Sequence, residues 1–498
     1  MPYLRDPIDP GAAMGLVRSR VAARDERFLA FARDSMLADD ASPHRRLLEI
    51  AGWDYSRLAG EVRRGGLEEA LIALSDQGVW TSQEEFRCQQ PIERGATRLR
   101  PATEDFDNPR LRRSVFKAAT GGTASGKRAT VAYGWDLFVE EAALECLLFE
   151  AHGCLDAAWA LWLPGLPSIS GIHNVLVHLG FRQPPQRWFS HLPSDAGAHA
   201  ALRYLQLCAR AVGLRVPSPQ PTSPQEASRV ALWLSQTARR DGKAVLKTFA
   251  SSAVRVAESA RRLSLDLSGT IIFAGGEPLT ERRRTHVEAT GARVFGRYVA
   301  TETGWIGAAC PLAPSPSHLH FYSDRLAVIP GPEPGRLLFS TISPTSGKQL
   351  LNTDLGDAGS IGSRPCACPL GRAGLKVELS EIHSPDKVSA EGITLVQVVI
   401  EQAIEDAITE IGGPPDAFHL RERESPAGEA RLEISLDPSL DDVSDRELID
   451  AVLARLPERG PAADLAAQLW RRSGSVRISR EHPALTSAMK LPPGARRG

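Results

Sequence analysis

The run Thr270-Ile-Ile-Phe-Ala-Gly-Gly-Glu277 constrains the fold most. It reads as a buried strand that ends on two glycines, where the backbone is free to turn sharply. Further short strands are expected at Ala129–Tyr133 and Ala292–Phe295, and helical periodicity runs from about Trp135 to Leu161 and from Ala244 to Leu263. Strands alternating with helices predict an α/β architecture. Helices are expected in the first hundred residues, at Pro43–Ala51 and Leu67–Leu74. Four prolines in Pro217–Pro224 predict a surface connector. Beyond residue 386 a smaller α+β pattern follows. It comprises a strand at Thr394–Ile400, a helix at Glu401–Ile411, a strictly alternating strand at Ala430–Leu436, a helix at Ser444–Leu456 and a polar tail. The chain therefore divides into a large unit, 1–385, whose first 110 residues are helical, and a small unit, 386–498.

Charge and cysteine usage exclude several classes. Lys and Arg total 59 against 60 acids among 498 residues, so the net charge is −1. A generalised nucleic-acid binder needs a basic surplus, whereas a single nucleotide needs only a local basic cleft. The most apolar stretch, Leu144–Leu166, contains Glu150, His152 and Asp156 and reads as a buried core helix. Charges at membrane depth are too costly for a spanning segment. The opening MPYLRDPIDP lacks the apolar run of a signal peptide. Seven sparse cysteines, an odd number, point to reduced thiols in the cytoplasm.

The sharpest local motif is Thr120-Gly-Gly-Thr-Ala-Ser-Gly-Lys-Arg128. Glycine amides, hydroxyls and Lys127 suit phosphate oxygens. One reading is a P-loop nucleotide-binding protein, although Arg128 stands where a magnesium-binding Ser or Thr belongs. A flexible loop without a ligand is another. A third follows from three segments further along: Ile271–Thr280 with its Gly-Gly-Glu turn, Gly296-Arg-Tyr-Val-Ala-Thr-Glu-Thr303, and Leu351-Asn-Thr-Asp-Leu-Gly-Asp357. With Leu485–Lys490 they resemble, in order, the motifs of the adenylate-forming (acyl-CoA synthetase-like) superfamily. Cys310, Leu319–Asp324, Cys366–Arg372 and Thr248–Ala253 narrow the resemblance to the phenylacetate–CoA ligase and coenzyme F390 synthetase branch.

The resemblance implies a large adenylate-forming domain of mixed sheets and helices, followed by a small mobile domain pivoting at Asp386. It implies ATP contacts from Thr120, Gly121, Gly122, Thr123, Ser125, Gly126, Lys127, Gly275, Gly276, Glu277 and Tyr298, with Asp357 on the ribose. Thr301 would bond a phosphate oxygen, Glu302 would hold Mg2+, and Lys490 would stabilise the reacting carboxylate and α-phosphate. Val299, Ala300 and, more weakly, His173 would line the acid pocket. The implied activity is an AMP-forming ligase joining an aryl or small acyl carboxylic acid to coenzyme A. The alternative acceptors are an amine, a carrier-protein thiol or another nucleophile. Homodimers are compatible with this branch. Four departures from the pattern are Arg128 in the loop, Val299 for a glycine, Ser384 for an arginine, and Asn352-Thr353 for Arg-Tyr.

Cys310, His320, Cys366 and Cys368 supply the ligand types of a closed structural zinc site. His318 is the competing nitrogen, and three small buried thiols beside an unrelated histidine are the alternative.

Overall fold

In a computed structural model the described residues are 4, 6–111, 116–119, 130–166, 168–193, 196–385, 387–413, 417–426, 428–436, 440 and 442–480. A twelve-stranded mixed sheet organises the large unit. Six strands run parallel, in spatial order Arg293–Ala300, Thr270–Gly275, Ala244–Phe249, Ala158–Trp162, Arg187–Ser190 and Gln220–Pro221. The sheet continues antiparallel from Arg293–Ala300 through Gly304–Ala308, Leu319–Phe321, Val377–His383, Thr353–Ser363, Arg336–Thr341 and Leu326–Pro330. Arg293–Ala300 thus belongs to both halves. Arg293–Gly296 pair parallel with Ile271–Ala274, and Arg297–Ala300 pair antiparallel with the next strand.

The parallel half is covered on both faces, and the period-two alternation of strand side chains accounts for the two layers. Trp159, Leu161, Val245, Phe273 and Phe295 pack with the helices Trp135–Ala151 and Ile169–Leu179. Ala160, Trp162, Leu246, Ile272 and Val294 face the helices Ala227–Asp241 and Ala250–Arg262. The amino-terminal helices share one core with the antiparallel half: Phe28, Leu47, Leu71 and Phe106 join Ile306, Phe339, Leu351 and Leu379. A separate core runs from Val388 to Val476. No helix of the described residues is long and apolar enough to cross a membrane.

Several segments differ from the sequence expectation. The stretch Leu144–Leu166 is not one helix. The helix stops at Ala151, Gly153 takes the left-handed φ of +62°, and the chain re-enters as the strand Ala158–Trp162. Ala244–Leu263 is likewise a buried strand, Ala244–Phe249, followed by a helix, Ala250–Arg262. Within the proline-rich connector, Gln220–Pro221 pairs as an edge strand, a position where proline's missing N–H costs no ladder bond. Thr394–Ile400 is a strand only to Val396, and the helix begins at Gln397. The segment read as a polar tail contains the helix Pro461–Ser473 and the strand Val476–Ser479.

Candidate active site

Ligands of open α/β sheets bind at the carboxyl ends of the parallel strands. Here those ends carry Phe249, Gly275-Gly276-Glu277 and Tyr298–Glu302. Gly296 pairs with Ala274, so the two motifs lie side by side, and a Cβ on Gly275 would stand 3.3 Å from the Arg297 carbonyl oxygen.

Thr301-Glu302-Thr303 form the tight turn between Arg293–Ala300 and Gly304–Ala308. Its backbone is held from several sides. Tyr133 Oη donates to the Thr301 carbonyl at 2.7 Å, Arg325 donates to the carbonyls of Thr303 at 2.9 Å and Trp305 at 3.0 Å, and the Lys348 N–H donates to the Glu302 carbonyl at 3.3 Å. Glu141 accepts the Trp305 N–H at 2.8 Å and an Arg325 N–H at 3.0 Å. Gly304 has φ +80°, and a Cβ there would meet Glu141 Oε1 at 2.2 Å. By contrast, the half-buried Thr301 and Glu302 side chains have no hydrogen-bond or ion-pair partner among the described residues. The turn is rigid in its backbone and open at its side chains.

Tyr133 ends the hairpin Phe116–Ala119/Thr130–Tyr133, whose strands flank the glycine-rich loop. Thr120, Gly121, Gly122, Thr123, Ser125, Gly126 and Lys127 themselves lie outside the described residues, as do Asp386 and Lys490.

Asp357 is buried next to this turn. It accepts Tyr298 Oη at 2.6 Å on one oxygen and Ser384 Oγ at 2.5 Å on the other. Burial first, and the Asp357 charge second, hold the Tyr298 phenol well above its usual range, so it remains a donor. A carboxylate already accepting two hydroxyls has the chemistry to accept a vicinal diol.

Glu277 uses its oxygens differently. They accept the Ser251 N–H at 2.7 Å and the Gly392 N–H at 2.9 Å, so Glu277 joins the large unit to the small one. Glu391-Gly392 is the tip of the hairpin Lys387–Ala390/Ile393–Val396, with φ of +53° and +74°. Arg255 pairs with Glu391, and Thr394 Oγ1 donates to the Gly276 carbonyl at 3.2 Å.

A layer of buried charge underlies the turn. The helix Trp135–Ala151 directs Glu141 and Glu145, four residues apart and so on one face, towards the sheet. Burial alone would raise the Glu141 carboxyl, but His173 and Arg325 outweigh it and hold it below its ordinary value. His173, an expected acid-pocket residue, is buried with its Nε2 on Glu141 and its ring between Phe138 and Trp305. Val299 is 43% exposed and Ala300 half-buried. Glu145 accepts from Lys247 at 2.5 Å, Arg297 at 2.8 Å and His178 at 3.2 Å. Burial, then Arg297, pulls Lys247 down to about 7, and burial, then Lys247, pulls His178 down to about 3. Sequence reasoning missed Tyr133, Glu141, Glu145, Lys247 and Arg325. Their partners lie up to 184 residues away, so no local pattern marks them.

The four sulfur and nitrogen candidates do come together. The ligand atoms of Cys310, His320, Cys366 and Cys368 all lie within 4.8 Å of one another. Cys310 and Cys366 are 3.7 Å apart, and Cys368 Sγ is 3.3 Å from His320 Nε2. Zinc–sulfur bonds of about 2.3 Å at tetrahedral angles separate sulfurs by about 3.8 Å, so the spacing fits zinc. His320 Nδ1 donates to the Leu375 carbonyl at 2.8 Å, which turns the Nε2 lone pair inwards. His318 instead contacts Glu378 at 3.0 Å, so the competing nitrogen faces away. Gly371 N–H donates to Cys368 Sγ at 3.4 Å, and a Cβ on Gly371 would strike the Cys366 carbonyl at 2.2 Å. Arg364 lies 3.3 Å from His320 Nε2 and is itself paired with Glu378.

No protein-family model matches the chain, and no curated protein does. Among solved structures, the chain is similar to 2-hydroxyisobutyryl-CoA ligase bound to 2-HIB-AMP and CoA in the thioesterification state. The TM-score is 0.58 at 14% identity, over 95% of this chain and 89% of that one. The same ligase in its postadenylation state with 2-HIB-AMP gives a TM-score of 0.50 at 14% identity, over 93% and 86%. The chain therefore shares the fold of 2-hydroxyisobutyryl-CoA ligase, an α/β architecture with a mixed sheet.

Proposed function

We propose that the chain is an ATP-dependent, AMP-forming carboxylate ligase of the phenylacetate–CoA ligase type. The observation that carries this reading is the Thr301-Glu302 turn, fixed in its backbone and unpartnered in its side chains, beside the Tyr298–Asp357–Ser384 chain. In the first step a carboxylate oxygen bonds the α-phosphorus of ATP, the α–β anhydride breaks, and pyrophosphate leaves. In the second step a thiol, by the family default that of coenzyme A, bonds the acyl carbon. The acyl–phosphate bond breaks and AMP departs. Asp357 receives the ribose hydroxyls, with Tyr298 and Ser384 fixing its oxygens. Thr301 donates to a phosphate oxygen. Glu302, one half-buried carboxylate without a partner, fits a magnesium ion that keeps most of its waters. When bound, that ion neutralises phosphate charge. The unit 1–385 holds ATP and acid, and 386–498 brings in Lys490 by pivoting at Asp386. None of the seven cysteines is in a disulfide, which supports a cytoplasmic setting.

Pyrophosphate exchange into ATP across a panel of carboxylic acids tests the reading. Acid-dependent exchange is expected, and its absence with every acid while ATP is bound would refute adenylation. ADP formation without exchange would favour a P-loop protein, and AMP release dependent on an amine or carrier thiol would reassign the acceptor.

The Cys310–His320–Cys366–Cys368 cluster completes the proposal as a structural zinc staple, four protein ligands leaving no open position. Metal analysis is expected to find about one zinc per chain, and chelation to lower the melting temperature. Purified protein that is folded, active and free of zinc would refute it.

A further inference from the structure

The amino-terminal helical region reaches the candidate nucleotide site through one turn of chain. Thr81 pairs in parallel with Thr353, the Thr81 N–H donates to the Asn352 carbonyl at 3.1 Å, and the Asp354 N–H donates to the Thr81 carbonyl at 2.9 Å. The short helix Gln83–Phe86 follows, fixed by a capping box between Ser82 and Glu85. Gln83 lies against Gly356, where an added Cβ would meet its amide at 2.2 Å; Gly356, with φ +81°, precedes Asp357. Arg87 caps this helix. With the Gln83 amide turned to satisfy its neighbours, its oxygen accepts both terminal nitrogens of Arg87 at 2.8 Å.

Arg87 is half-buried, and no carboxylate stands within ion-pair distance of it among the described residues. Yet the charges that act on it most strongly are those of Glu302, Asp357, Glu84 and Asp354. In the proposed reading Glu302 is the phosphate-side residue of the site and Asp357 the ribose-side one. In any nucleotide the α-phosphate is the group joined to the ribose, and it lies between those two positions.

We propose that Arg87 binds the α-phosphate oxygens of the nucleotide, held for that purpose by Gln83 and the Thr81–Thr353 bridge. The proposal rests on the adenylation reading. A guanidinium anchored on one side by an amide oxygen presents its remaining N–H groups as a fork matched to phosphate. It also supplies to this end of the cleft a cation that Ser384 does not.

The test is calorimetric binding of AMP and of adenosine, which differ in that phosphate alone, to the wild type, Arg87→Ala and Arg87→Lys. Arg87→Ala is expected to weaken AMP about 10- to 100-fold and to leave adenosine within about twofold. Arg87→Lys, which keeps the charge and loses the fork, should fall between and covers the case in which alanine disturbs the loop. Unchanged AMP affinity would overturn the proposal, and so would an equal loss for AMP and adenosine, the mark of a purely structural arginine. A wild type that binds neither AMP nor ATP would overturn the adenylation reading itself.

Discussion

Substituting Glu302 with glutamine is expected to lower acid-dependent pyrophosphate exchange by about 10²- to 10³-fold while moving the melting temperature by no more than about 1 °C. The size follows from removing one preorganised electrostatic group from the proposed adenylation site. The small stability change follows from the structure: the Glu302 side chain has no hydrogen-bond or ion-pair partner among the described residues, and its backbone carbonyl is held by Lys348. Near wild-type exchange would remove Glu302 from the reaction. A melting temperature that collapsed with the activity would assign it to the fold.

Glu141, on the other side of the same turn, should behave in the opposite way. Glu141→Gln is expected to lower the unfolding free energy by about 3–5 kcal/mol, as breaking one side of a buried ion pair does. Its carboxylate simultaneously receives His173, Arg325 and the Trp305 N–H, and a neutral amide cannot satisfy all three. Arg325 would then keep only the more distant Glu140, at 3.5 Å, as a carboxylate partner while still holding the Thr303 and Trp305 carbonyls. Denaturant titration of the two variants side by side measures the contrast. A change below about 1 kcal/mol for Glu141→Gln would show that the charge layer does not set the turn.

What could be read from the chain alone follows from how local each signal is. Thr270–Glu277 was legible because a short apolar run, two glycines and an acid are contiguous. The Gly-Gly-Glu, Thr-Glu and Gly-Asp segments were legible as an ordered set; in the structure Gly275–Glu277 and Thr301-Glu302 lie at strand ends, and Asp357 lies within the strand Thr353–Ser363, bonded to Tyr298. The strand Ala244–Phe249 was misread as helix because Lys247 interrupts its apolar run. That lysine tolerates burial through Glu145, 102 residues away, which no window of sequence reveals. The end of the helix Trp135–Ala151 was missed because its stop signal is one glycine, Gly153, inside an apolar stretch. Arg87 was invisible for a similar reason: beyond the local Gln83 and Glu84, the charges around it, Glu302, Asp354 and Asp357, lie more than 200 residues further along. The sulfur cluster was legible in its ligand types, and only the structure separates His320 from His318.

The clamp between Thr81 and Thr353 has a consequence for dissecting or recombining this protein. Asn352, at φ +47°, donates its side-chain amide to the carbonyls of Leu71 at 2.8 Å and Val79 at 3.1 Å. Three backbone acceptors of the helical region, at 71, 79 and 81, are thereby read by Asn352 and by Asp354 at the start of the strand Thr353–Ser363. The first 110 residues are therefore not a portable module. A chimera that imports them from another protein of this fold must also import residues 351–357 as a matched cassette, whatever the similarity of the surfaces elsewhere.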